Sequence, residues 1–122
     1  MSAQDEKLLL VDNELSILEA VGTLLTTMDF DVVTAASGAA AVEAFKLEPA
    51  AFRWAVVDLA MPVMDGIETV RQLRAIAPSL AVVIATGYAD RNLPEDFLAT
   101  DRTALIQKPY RGKTIEKLLH SL

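Results

Sequence analysis

Short apolar runs alternate along this chain with longer segments in which apolar residues recur every three or four positions. The runs occupy residues 8–11, 32–35, 54–57, 81–85 and 104–106. Their shortness and β-branched content suit strands buried on both faces of a sheet. The intervening segments predict helices. Over 14–28, Ile17, Leu18, Val21, Leu24, Leu25 and Met28 fall on one stripe. Residues 38–47 are alanine-rich, with Ser37 placed to cap them. Asp65 and Glu68 have capping-box spacing, with Asp in place of the usual Ser or Thr. Ile67, Val70 and Leu73 then share a face before Pro78 ends the helix. A short helix is predicted over 92–99, and 114–122 closes the chain with Ile115, Leu118, Leu119 and Leu122 in register.

Five strands alternating with five helices imply parallel βαβ units with right-handed crossovers. The predicted fold is therefore α/β: one doubly wound (βα)5 domain over residues 1–122, with no output domain. Its five-stranded parallel sheet takes the flavodoxin-like order 2-1-3-4-5, whose crevice opens at the carboxyl ends of strands 1 and 3.

Polar residues collect at that edge. The first run leads into Asp12-Asn13, the third into Asp58, the fourth into Thr86, and the fifth through Gln107 to Lys108-Pro109. The second run, outside the crevice, ends in Ala35-Ala36. Each residue alone has a plainer reading. Asp12 or Asn13 would cap a helix, Asp58 would open the turn through Pro62, Thr86 would end a strand, and Lys108 would be a surface lysine. Their arrival together at one sheet edge carries the signal. Carboxylates beside other oxygen donors suit Mg²⁺, and an aspartate can attack phosphorus to form an aspartyl phosphate. The transferred oxygens then need a metal, a lysine and a hydroxyl or N–H around them. Asp58 fits as nucleophile, Asp12 and Asn13 at the metal, and Lys108 and Thr86 on the phosphoryl oxygens.

Composition narrows the setting. With 122 residues, 52% hydrophobic and 23% charged, the chain suits one compact domain. It has no cysteine, which excludes disulfides and thiolate metal sites. Its apolar runs are too short to span a bilayer, and residues 1–7 lack a secretory pattern, so a cytoplasmic protein is expected. Net charge is −6, with the excess acid lying before residue 102, which argues against direct nucleic-acid binding. The basic end, Arg102, Lys108, Arg111, Lys113 and Lys117 against Glu116, reads more simply as a solvated face than as a dock for an acidic partner.

Leu-Leu-Val-Asp-Asn-Glu (9–14), Val-Val-Asp-Leu-Ala-Met-Pro-Val-Met-Asp-Gly (56–66), Ala-Thr-Gly (85–87) and Gln-Lys-Pro-Tyr (107–110) resemble the response-regulator receiver family over the whole chain. The resemblance implies that Asp58 takes a phosphoryl group from a phosphohistidine on a sensor histidine kinase or histidine phosphotransfer protein. It implies Mg²⁺ held by Asp12 through water, by Asn13 and Asp58, and by the backbone carbonyl of Ala60. Lys108, before a cis bond to Pro109, would pair with the phosphoryl oxygens. Thr86 would move toward the new charge, and the surface that includes 104–106 and 114–122 would change its preference for a downstream protein or form a homodimer. Such a protein promotes only its own phosphorylation and dephosphorylation. Ala60 and Tyr88 stand where the family tunes the lifetime of the phosphoryl group.

Two positions depart from the family pattern. Asn13 replaces a usual carboxylate, which predicts weaker Mg²⁺ affinity, and Leu105 replaces a frequent aromatic switch residue. Both favour the main alternative, a degenerate receiver that binds proteins without phosphorylation. A haloacid-dehalogenase-type phosphatase would need an acid where Ala60 stands, and the phosphate loops of nucleotide and flavin binders are absent.

Overall fold

The computed structural model describes residues 6–87 and 102–122. Its elements are β1 (Lys7–Val11), α1 (Leu15–Thr27), β2 (Asp31–Ala35), α2 (Gly38–Leu47), a 3₁₀ turn (Pro49–Ala51), β3 (Phe52–Asp58), α3 (Gly66–Ile76), β4 (Ala81–Thr86), β5 (Thr103–Gln107) and α4 (Gly112–Ser121). All strand pairs are parallel and the sheet order is β2-β1-β3-β4-β5, as the alternation of runs and stripes predicts. The helix expected over 92–99 lies outside the described residues.

The sheet is covered on both faces, which is why its strands read as continuous apolar runs. In β1, Leu9 and Val11 point to a core that includes Phe45 of α2 and Val70 and Leu73 of α3. Leu8 and Leu10 point to the opposite core, with Leu18 and Leu25 of α1 and Ile115 and Leu119 of α4. Trp54 belongs to this second core and donates its indole N–H to the Leu119 carbonyl at 2.9 Å.

Three local details differ from the sequence expectation. β3 extends beyond 54–57 to Phe52–Asp58, because its pairing partners continue past the apolar centre. α4 begins at Gly112 rather than at 114: a Cβ at position 112 would overlap Leu24 of α1, so glycine lets the helix start against its neighbour. At α3 only half of the capping box forms. Asp65 accepts the Glu68 N–H at 2.9 Å, whereas the Glu68 carboxylate accepts from Gln72 at 3.0 Å. Ser37 caps α2 as expected, accepting the Ala40 N–H at 3.1 Å.

Candidate functional site

Strand register builds the site. Val11 lies opposite Val57, so Asp12 and Asp58 emerge side by side from adjacent central strands. Asp58 in turn lies opposite Ala85 and Thr86 opposite Gln107, which brings the ends of β3, β4 and β5 level. Backbone bonds carry the ladder past the strands: Asp12 N–H to Ala35 O at 3.1 Å, Leu59 N–H to Ala85 O at 2.9 Å, and Lys108 N–H to Thr86 O at 2.8 Å. The Lys108–Pro109 peptide is cis.

Asp12, Asp58 and Lys108 meet. The ammonium of Lys108 sits 3.1 Å from Asp12 Oδ2 and 3.4 Å from Asp58 Oδ1. Both aspartates are buried, 2% and 4% exposed, which makes that shared cation necessary. The second oxygen of Asp12 accepts the Glu14 N–H at 2.9 Å. Burial, and then repulsion from Asp12, push the Asp58 carboxyl above the usual aspartate range. Lys108 and the backbone N–H of Ala60 pull it down by less. For Lys108, burial disfavours the charge, but hydrogen bonding and attraction from Asp12 and Asp58 outweigh it and raise its pKa. Tyr110, partly buried beside this group, is pushed up to about 12 by burial and by the charge of Asp12. A fourth participant escaped the sequence reading: Glu14 Oε1 lies 3.5 Å from the same ammonium. Its signal was the third consecutive polar residue after the first apolar run.

The remaining expected residues stand at the same edge with weaker engagement. Thr86 ends β4, and its hydroxyl donates a long 3.5 Å bond to the Ile106 carbonyl rather than to either aspartate. Asn13 is exposed, and Ala60 presents its backbone to Asp58 through the N–H already noted. Tyr88 lies outside the described residues. The Asp65-Gly66 pair has a steric origin: a Cβ at position 66 would come 2.5 Å from the Asp58 carbonyl oxygen, so only glycine lets α3 start directly beneath the end of β3. His120 is exposed and stacks on Phe30, with ring centroids 5.4 Å apart, away from the aspartates. The sheet edge, rather than a large cavity, holds the chemistry; a concavity of about 710 Å³ between α1 and β2, lined by residues such as Leu18, Gly22 and Val32, lies elsewhere.

Among the described residues no three His, Cys, Asp or Glu side chains are arranged to hold a metal ion by themselves. The donor set nevertheless fits a hydrated hard cation. Two buried carboxylates from adjacent strands meet on one ammonium, and Mg²⁺ commonly binds through one or two carboxylates while keeping several waters.

A family model described as the response regulator receiver domain matches residues 8–120. The chain belongs to that family. It is a receiver domain of the two-component response-regulator type, and this edge corresponds to the segments that carried the resemblance. The receiver is 32% identical to a probable transcriptional regulator, ycf27, of Porphyridium aerugineum, over 98% of its own length and 48% of that protein. It spans no more than about half the length of the curated relatives it matches. A response regulator receiver domain protein from Clostridium thermocellum has the same fold, with a TM-score of 0.84 and 27% identity, covering 95% of this chain and 92% of that one. The chemotaxis protein CheY4 of Vibrio cholerae superposes with a TM-score of 0.80 and 27% identity, covering 95% and 97%. No helix among the described residues is long and apolar enough to cross a membrane.

Proposed function

We propose that this receiver accepts a phosphoryl group on Asp58 from the phosphohistidine of a sensor histidine kinase or histidine phosphotransfer protein. One observation carries the reading: a buried aspartate at the end of a central strand shares a lysine ammonium with a second buried aspartate from the neighbouring strand. An Asp58 carboxylate oxygen forms the bond to phosphorus as the phosphorus–nitrogen bond of the donor breaks, and the departing imidazole keeps that electron pair and takes a proton from solvent. Lys108 then leaves the aspartates for the phosphoryl oxygens, and the Thr86 hydroxyl gives up its long 3.5 Å bond to the Ile106 carbonyl and turns to join it. A bound Mg²⁺ would neutralise charge on the phosphoryl oxygens. Asp12, Asn13, Asp58 and the Ala60 carbonyl are the groups that would hold it. In this reading the receiver promotes only its own phosphorylation and dephosphorylation, and its output is a changed preference for a downstream protein, or for a second copy of itself.

Intact mass after incubation with phosphoramidate and Mg²⁺ tests this. Wild type gains one phosphoryl mass and Asp58→Asn gains none. A wild type that stays unmodified would favour the second reading, a receiver that binds its partner without phosphorylation. The neutral, exposed Asn13 and the absence of an aromatic ring at Leu105, itself 41% exposed, speak for that alternative.

A further inference from the structure

Glu14 is the N-cap residue of α1, yet its side chain makes no hydrogen bond to the helix. The N-caps of α2 and α3 behave differently, since Ser37 and Asp65 each accept a backbone N–H of their own helix. The Glu14 carboxylate instead reaches across to Lys108, 3.5 Å from the ammonium. Asp12 aims it, binding the Glu14 N–H with one oxygen and Lys108 with the other. The ammonium is therefore held from two sides, by Asp12 and Asp58 below, whose side chains are 3% and 5% exposed, and by a rim carboxylate that is 58% exposed. Between the two acids on the chain, position 13 is a neutral amide.

We propose that Glu14 is a positioning residue for Lys108, drawing the ammonium toward the mouth and loosening its hold on Asp12 and Asp58. An ammonium and a divalent cation compete for the same oxygens, so the looser the lysine, the more readily a cation reaches the aspartates. Once a cation has taken them, Glu14 keeps Lys108 at the mouth, where phosphoryl oxygens arrive. The inference rests on the cation-dependent reading above and concerns the step before phosphoryl transfer.

Mn²⁺ binding, read from the EPR signal of the free ion, tests it without any phosphorylation. Glu14→Gln is expected to weaken Mn²⁺ binding by roughly three- to tenfold, because the lost attraction acts across a partly solvated mouth. Lys108→Met should tighten binding by removing the competitor. In that background Glu14→Gln should change affinity by less than about twofold, the signature of an effect that runs through the lysine. An equal loss in both backgrounds would mean that Glu14 acts on the cation directly and overturns the positioning role, as would no loss in either. Wild type that binds no Mn²⁺ ends the cation-dependent reading and this inference together. Intact wild-type binding with an inert Glu14→Gln ends this inference alone. Should Lys108→Met fail to fold, ¹H–¹⁵N spectra of the lysine ammonium groups decide: Glu14→Gln must shift the Lys108 signal, and an unmoved signal overturns the proposal.

Discussion

At the carboxyl edge of the sheet, one lysine ammonium is shared among Asp12, Asp58 and Glu14. At the amino edge, Arg74 at the end of α3 is held, among the described residues, by oxygens without formal charge. Its guanidinium donates to the Leu80 carbonyl at 3.0 and 3.2 Å, to the Arg102 carbonyl at 3.0 Å and to Thr103 Oγ1 at 2.7 Å. Burial pushes Arg74 below its ordinary pKa, whereas the acids around Lys108 raise that lysine. Both edges draw a cation out of bulk water, with opposite results. The rigid guanidinium fork fixes the entries to β4 and β5 in one geometry. Around Lys108, among the described residues, three carboxylates share one ammonium. A half-buried cation among neutral acceptors is a staple; one outnumbered by acids can be displaced.

Removing each cation sharpens that contrast. Lys108→Met is expected to cost about 3 kcal/mol at neutral pH, because it leaves Asp12 and Asp58 buried without a counter-ion. The loss should shrink as pH falls, since the elevated Asp58 carboxyl takes up a proton first. Arg74→Leu is expected to cost about 2 kcal/mol, for the carbonyls of Leu80 and Arg102 lose donors, and that loss should stay flat with pH. Urea unfolding of both variants across the acid range checks the pair. Parallel pH profiles would break the comparison.

The carboxyl edge was far more legible in the sequence than the amino edge. Asp12, Asp58, Thr86 and Lys108 each follow or end a recognisable apolar run, so alternation and sheet order alone bring them together. Glu14 was passed over because it looked like an ordinary helix start, and only side-chain direction shows that its carboxylate leaves the helix for Lys108. Arg74 left no trace, because its partners are main-chain carbonyls, which every residue possesses. The early start of α4 was hidden for a similar reason: Gly112 looks like a breaker until the close approach of Leu24 explains it. Contacts made by side chains at strand ends follow from pattern; contacts to backbone and between helices depend on packing that a pattern does not encode.

Asp58 itself offers a smaller, signed test. Burial and Asp12 raise its pKa in the folded protein above the ordinary 3.8, so its ionised form is disfavoured there. That penalty is complete above the folded pKa and vanishes below the unfolded one. Asp58→Asn should therefore raise the thermal midpoint by a few degrees at neutral pH, with Lys108 still paired to Asp12 and Glu14. The gain should fade as pH drops toward 3.8. Paired melts of wild type and variant measure it; a variant less stable at neutral pH would show that the Lys108 contact outweighs the repulsion.

Strain at the two edges gives the finest test. Val63, in the loop after Asp58, has φ of 69°, unfavourable for a β-branched residue, and its side chain is fully exposed. A single short bond, Met64 N–H to Pro62 O at 2.8 Å, closes the turn around it. At the amino edge Arg102 has φ of 63°, but its carbonyl accepts from Val82 N–H at 2.8 Å as well as from Arg74, and its own guanidinium donates to Ser79 O at 3.2 Å. Val63 sits at the centre of a γ-turn, and Asn tolerates positive φ better than a β-branched residue, so Val63→Asn should stabilise the protein by about 0.5–1 kcal/mol while burying nothing new. Arg102→Asn should gain less, because it gives up the bond to Ser79 along with the strain. Urea unfolding of the two variants ranks them. Equal gains would mean that the positive φ alone sets the effect, and that the bonds around Arg102 hold its turn no more firmly than the lone bond at Val63.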